Sequence, residues 1–206
     1  TQVADIVDEL LEISRLAEDD GPSLHLSQMD LLALVREVLV KYEGLANRHQ
    51  LLLKSTLDAL PGTWDGVRLE RVLDNLLSNA IKYSPDGGAV TVSVSLQGRP
   101  LLAGGAGNAD AGAVTATETH AGALLTVTDR GIGIAPEDLP HVFERFRRGG
   151  DVATRVPGSG VGLTSVREIV EQHRGTVGIQ SVPGAGTVVS VWLPLHPFGR
   201  SIETPA

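Results

Sequence analysis

Apolar residues recur along this chain with two spacings, one of three to four residues and one of two, and the changes between them mark out its elements. In residues 1–20 the positions Val3, Ile6, Val7, Leu10, Ile13 and Ala17 keep helical spacing, and Gly21-Pro22 stops the pattern. That run is apolar from its first residues and has no N-cap. It reads as the end of a helix that begins upstream and packs against another helix. Residues 29–48 carry a second helical pattern, with Leu31, Leu34, Val35, Val38 and Leu39 inward and Asp30 as N-cap, and residues 51–57 read as a strand. The most regular segment follows: from Leu69 an apolar stripe runs through positions 72, 73, 76, 77, 80 and 81. Asp65 is placed to cap that helix, and Ser84-Pro85-Asp86-Gly87-Gly88 to stop it.

Downstream the period shortens to two. Residues 89–96 alternate as a strand with one buried face, and 123–129 read as another; 176–182 and 187–194 are two more, joined by the turn Pro183-Gly184-Ala185-Gly186. The amphipathic run up to His173 is the helix before that hairpin. Residues 97–123 between the first two of these strands, rich in Gly, Ala and small polar groups, have no period and read as a disordered insertion; 197–206 read as a flexible tail. Helices kept apart from mostly antiparallel strands predict an α/β (α+β) two-layer sandwich: a mixed sheet with helices on one face.

Composition narrows the function classes. The 206 residues are 42% hydrophobic and 20% charged, ordinary for a soluble domain, and the absence of cysteine removes disulfides, thiolate catalysis and cysteine-held zinc together. A formal net charge of −8 argues against nucleic acid as a partner. No apolar run is long enough to span a bilayer, so no direct membrane contact is expected of this stretch.

The chemistry gathers at three places. Gly158, Gly160 and Gly162 alternate just before a helix, where unpaired N–H groups and the macrodipole suit an anion. A Walker A loop would need a lysine after Gly162 and a dinucleotide fingerprint a glycine at Leu163, so phosphate would be held by some other arrangement; a flexible linker is the alternative. On the third helix Asn75, Asn79 and Lys82 form one polar stripe. An ordinary wet face explains them, or a carboxamide that ligates Mg²⁺ with a lysine reaching a phosphate. Asp129 ends a buried strand and is followed by Gly131 and Gly133, which is either a plain turn or an acceptor for an exocyclic amine with glycines that let a flat ring pass. Phe143 and Phe146, two of three phenylalanines in the chain, then mark an anchor.

In this order NLLSNAIKYSP (75–85), DRGIGI (129–134), FERF (143–146) and GSGVGL (158–163) resemble the N, G1, F and G2 boxes of the ATP-binding catalytic domain of sensor histidine kinases. That domain is part of the GHKL superfamily, with a Bergerat-type ATP-binding fold. The likeness covers residues 22–196, and residues 1–21 look like the end of the preceding dimerisation helix and its linker. It implies ATP and Mg²⁺ as cofactors, with Asn79 as the metal ligand, Asn75 nearby, Lys82 on the phosphates and Tyr83 packed on the nucleoside. Asp129 would read the adenine amino group in a pocket shaped by Gly131, Gly133, Ile134 and Thr187. Phe143 and Phe146 would anchor an ATP lid over 147–157, with Gly158, Gly160, Gly162 and Leu163 as its far hinge.

Position 147 departs from the family in being Arg where Tyr is common, and Arg147 is an added candidate for phosphate contact. None of the six histidines (25, 49, 120, 141, 173, 196) sits in a phosphoacceptor motif, so the acceptor is expected on the upstream dimerisation helix. His173 reads as a helix-end residue favoured by the dipole, and His120 as solvated. The resemblance thus implies protein-histidine kinase activity in two-component signalling. The implied partners are the parent's own dimerisation and phosphoacceptor domain, a response regulator and a second copy in a homodimer; the implied place is the cytoplasmic part of a membrane-anchored sensor. The alternatives are a hydrolytic GHKL ATPase, an anti-sigma-type serine kinase, and a nucleotide-dependent protein-binding module. The hydrolytic relatives place a Glu where this chain has Asn75.

Overall fold

In the computed structural model, which describes residues 24–44, 48–98, 121–144 and 161–196, the shortest strands are those that periodicity does not reveal. β1 (Ser27–Asp30) and β3 (Pro61–Trp64) have four residues each and pair antiparallel as a separate ribbon. Between them lie α1 (Leu31–Glu43) and β2 (His49–Lys54). Asp30 caps α1 as expected, its carboxylate accepting from the Leu32 amide at 2.9 Å, but it also accepts from Leu60 at 2.8 Å and so ends the ribbon as it starts the helix. The helix is therefore shorter than 29–48 at both ends, and Gly44 closes it. The strand expected at 51–57 is shifted to begin at His49.

α2 (Gly66–Lys82) realises the regular stripe: Leu69, Val72, Leu73, Leu76, Leu77 and Ala80 are buried, while Ile81 stays partly open. Then come β4 (Gly88–Gly98), β5 (Ala121–Thr128), a single 3₁₀ turn at Leu139–His141, α3 (Gly162–Gln172), β6 (Thr176–Val182) and β7 (Gly186–Pro194). β4 and β5 pair as far as Gly98 with Ala121, so residues 97, 98 and 121–123 belong to the sheet and not to the irregular span expected there.

The main sheet has the order β2-β4-β5-β7-β6, parallel only between β2 and β4, which is the mixed, mostly antiparallel arrangement expected. The one parallel pair needs a crossover, and α2 supplies it. Register explains the layers. Leu53, Val92, Val127, Val189 and Ile179 form one row across all five strands, and Val94, Leu125, Val191 and Val177 the next; these rows face the helices. The intervening row, Lys54, Ser93, Thr126, Ser190 and Gly178, is more open. Alternation of this kind is what places three helices over a single face. The ribbon is tied to the far end of β7, where the Trp64 indole donates to the Pro194 carbonyl at 2.8 Å and the Thr63 amide to that of Leu195 at 2.8 Å.

Candidate functional site

α2 is the spine of the site. Its apolar stripe faces the sheet, which leaves Asn75, Asn79 and Lys82 half-buried on a neighbouring strip. The amino end of α3 closes on that strip: a Cβ on Gly162 would lie 2.9 Å from Asn75 Oδ1 and 3.8 Å from Asn79 Nδ2. Asp30 caps α1 and Asp65 caps α2, but α3 starts on Val161 with no side-chain cap. Its first intrahelical bond is from the Ser165 amide to the Val161 carbonyl at 3.0 Å, so the amides of Gly162, Leu163 and Thr164 come before the ladder. An uncapped helix mouth beside two carboxamides is a setting for an anion. Among the described residues no group of three or more His, Asp or Glu gathers in a metal-holding cluster. A cation here would take one or two carboxamide oxygens and complete its shell with phosphate oxygens and water, as Mg²⁺ does.

At the other end of the strip the chain after β5 folds against the end of α2. The Ile132 amide donates to the Tyr83 carbonyl at 3.0 Å, and a Cβ on Gly131 would lie 2.1 Å from that carbonyl oxygen. Gly133 has φ +70, and a Cβ there would meet the Val182 carbonyl at 2.2 Å. Both glycines are thus required by protein backbone. The close approach that a Cβ would block is between two loops of the chain itself. The Lys82 ammonium stands 5.3 Å from the centroid of the Tyr83 ring, a cation–π geometry at the same end of α2.

Asp129 sits where these pieces meet. Its Oδ1 accepts from the Gly131 amide at 2.8 Å and from the Thr187 amide at 3.2 Å, while Oδ2 has no partner among the described residues. Burial pushes its carboxyl above the ordinary value of 3.8, with the two amides pulling the other way. A half-buried carboxylate with one oxygen fixed and the other open can accept from an amino group. Thr187 is brought beside it as expected, and its hydroxyl meets Ser181 Oγ at 2.9 Å. Ser181, which sequence reading passed over, also accepts from the Ile134 amide at 2.8 Å and reaches the Gly186 carbonyl at 2.8 Å, pinning the loop from Asp129 to Ile134 against the β6–β7 hairpin. A serine inside a strand gives no local signal of that role.

Two further residues emerge only in three dimensions. The Thr164 hydroxyl donates to the Phe143 carbonyl at 3.1 Å, so the chain near residue 143 is joined to the first turn of α3. Ser84 Oγ is buried with no partner among the described residues, and it lies 2.7 Å from where a Cβ on Gly131 would be. Phe143 is half-buried after the 3₁₀ turn, and Leu163 packs on the core. Phe146, Arg147, Gly158 and Gly160, with the lid expected over 147–157, lie outside the described residues, as does His120.

His173 is wholly buried, and its ring is neutral by construction. Nδ1–H donates to the Ile169 carbonyl at 2.8 Å and Nε2 accepts from the Asp65 amide at 3.0 Å. Burial holds its pKa below 6.5. It is the satisfied helix-end residue expected, but through two hydrogen bonds of a neutral ring and not through a charge on the dipole.

Both the sequence and the fold are shared with known proteins. Among curated relatives, the sensor-like histidine kinase SenX3 of Mycobacterium tuberculosis is 33% identical over 195 residues, covering 94% of this chain and 42% of its own length. ZraS of Escherichia coli is 33% identical over 193 residues, 93% of this chain and 35% of its own, and WalK of Bacillus subtilis 29% over 191 residues, 92% and 28%. The chain thus spans less than half the length of these relatives. Among solved structures, the mycobacterial sensor histidine kinase MprB superposes with a TM-score of 0.62 at 27% identity, covering 84% of this chain and 99% of that one. The histidine kinase ThkA, solved in complex with the response regulator protein TrrA, has the same fold, with a TM-score of 0.70 at 19% identity over 97% of this chain and 50% of that one. Residues 64–197 match the histidine kinase-, DNA gyrase B- and HSP90-like ATPase family, and the chain belongs to that family of ATP-binding domains.

Proposed function

We propose that this chain is the catalytic domain of a two-component sensor histidine kinase. In this reading it binds Mg-ATP along α2 and delivers the γ-phosphoryl group to a histidine on the parent's dimerisation helix. The observation that carries it is the line of groups along one helix: the uncapped mouth of α3 over Asn75 and Asn79 at one end, and the open oxygen of Asp129 beyond Tyr83 at the other. An adenine amino group donates to Asp129 Oδ2, and Tyr83 and Thr187 flank the base. The amides at the start of α3 and Lys82 take the triphosphate. Asn79, with Asn75 beside it, would hold Mg²⁺, which would supply charge neutralisation for the phosphates. Residues 1–21 are then the end of the dimerisation helix, and 22–196 the catalytic domain.

Phosphoryl transfer of this kind depends on positioning and charge, so the domain needs no dedicated base of its own. Asn75 stands where hydrolytic relatives have Glu, which favours transfer over hydrolysis. The partners in this reading are the parent's phosphoacceptor helix, a second copy in a homodimer and a response regulator, and the domain works on the cytoplasmic side of a membrane-anchored sensor. The test is to mix the chain with a separate segment bearing the dimerisation helix, γ-labelled ATP and Mg²⁺. Acid-labile, base-stable label on that segment is expected. Free phosphate released without label on the segment would instead make the chain a hydrolytic ATPase.

A further inference from the structure

α2 and α3 run antiparallel and make polar contacts near both ends of their seam. Near one end the Asp65 amide donates to His173 Nε2 at 3.0 Å, and near the other Gly162 abuts Asn75. From Asp65 to Asn75 and from Gly162 to His173 the two helices each rise about 15–17 Å, at ~1.5 Å per residue. Between these points the buried part of the seam is formed by Leu69, Val72, Leu73 and Leu76 on α2 and by Val166, Ile169 and Val170 on α3. Apolar ridges in grooves permit packed helices to slide by an ångström or two. A hydrogen bond between two buried groups does not.

At that junction the polar side-chain atoms of Asp65 and His173 are all engaged. Asp65 is 4% exposed; its Oδ1 accepts from the Arg68 amide at 3.1 Å and its Oδ2 from the His25 amide at 2.9 Å, with Arg68 Nε at 3.6 Å. The Arg68 guanidinium also donates to the Gln172 carboxamide at the exposed rim. His173 Nδ1 is held by the Ile169 carbonyl, so the ring cannot turn away from Asp65 without giving up both bonds. The chain that enters β1 is tied to the same aspartate through His25.

We propose that His173 is a positioning residue for nucleotide binding: its bond to the Asp65 amide fixes the axial register of α3 on α2, and so holds the mouth of α3 over Asn75 and Asn79. This rests on the reading that Mg-ATP phosphates lie at that mouth. The adenine end is set apart from the pin, because the Asp129 loop is fastened to Tyr83 and to the β6–β7 hairpin, and no hydrogen bond among the described residues joins residues 129–134 to α3.

The test compares Mg-ATP with adenosine, which has the base but no phosphates, by calorimetry on His173→Leu, His173→Asn and His173→Gln. Gln can return an acceptor to the Nε2 position, and Ile169 keeps its bond from the His173 backbone amide at 3.1 Å. Leu removes the acceptor; Asn is too short to reach the Asp65 amide, and stands in if the Leu variant does not fold. His173→Leu or His173→Asn is expected to weaken Mg-ATP binding by about tenfold or more, in keeping with a buried donor left unpaired, and to leave adenosine binding unchanged. His173→Gln is expected within about threefold of wild type. Equal losses for both ligands, or an unchanged Mg-ATP affinity in a folded Leu or Asn variant, would overturn the pin. A wild-type chain that binds adenosine but gains nothing from Mg²⁺ and phosphates would instead overturn the site reading beneath it.

Discussion

Two carboxylates stand near opposite ends of α2, and their surroundings differ in kind. Asp65, at the amino end, has both oxygens and its amide engaged and is almost wholly buried. Asp129, near the carboxyl end, has one oxygen engaged twice and the other without a partner among the described residues; the buried Ser84 hydroxyl next to Gly131 is likewise without one. A fully satisfied polar cluster costs the fold little and fixes geometry, whereas acceptors left open cost stability until a ligand pairs with them. The same helix is therefore closed at one end and expectant at the other. The pairing of polar groups, more than their number, separates structural from binding chemistry here.

The contrast can be broken from the binding end first. Asn79→Ala is expected to bring Mg²⁺-dependent nucleotide binding to background in titrations with and without the metal; a surviving Mg²⁺ dependence would place the cation elsewhere. Asp129→Asn keeps an oxygen for the Gly131 and Thr187 amides but can turn a donor toward the base. A loss of affinity of about ten- to a hundredfold is expected, from one charge-assisted hydrogen bond of ~1.5–3 kcal/mol. Because burial raises the Asp129 carboxyl above 3.8, the folded chain bears a cost for its charge at neutral pH, and the melting temperature of the ligand-free Asn variant should rise slightly.

Acid sharpens the comparison further, since it acts on the two ends with opposite sign. The His173 ring, flanked by Asp65 and Arg68, is depressed below 6.5 by burial, so the unfolded chain takes up a proton that the folded chain refuses. That contribution to stability is present above pH 6.5 and is lost as the pH falls below it. Asp129 gains stability as the pH falls through its raised value, while its open oxygen stops accepting. Thermal melts from pH 8 to 5 should decline below about 6.5 in wild type and flatten in His173→Gln. The smallest effect is expected at Lys41, whose exposed ammonium lies 3.4 Å from Glu70 and 3.1 Å from Asp74. Lys41→Ala should change stability by no more than about 1 kcal/mol in denaturant titration, and Mg-ATP affinity not at all.

Long elements were legible because their period is long. The stripe from Leu69 gave α2 with its Asp65 cap, and the alternating runs gave β4 to β7 nearly to the residue. β1 and β3 have too few residues to show a period, and the shared use of Asp30 by Leu32 and Leu60 depends on a contact 30 residues away. At the site, Asn75, Asn79 and Asp129 could be named from motif order, because their chemistry is unusual where it stands. Ser181, Thr164 and the Asp65–His173 bond could not. Each joins segments far apart in sequence, and each residue alone is an ordinary one. The reason for Gly131 was also hidden: what it must clear is Tyr83, 48 positions before it.

The last rung of the β4–β5 ladder pairs Gly98 with Ala121. Facing Cα atoms on such a rung are about 4.5–5.5 Å apart, so the chain departs and returns through a gap the width of one strand spacing. Asp129 lies at the opposite end of β5, about 26 Å away at ~3.3 Å per residue. A guest protein with adjoining termini, such as a fluorescent reporter, could be spliced in at that rung without rethreading the sheet. The position offers a port for tagging that leaves the nucleotide end untouched.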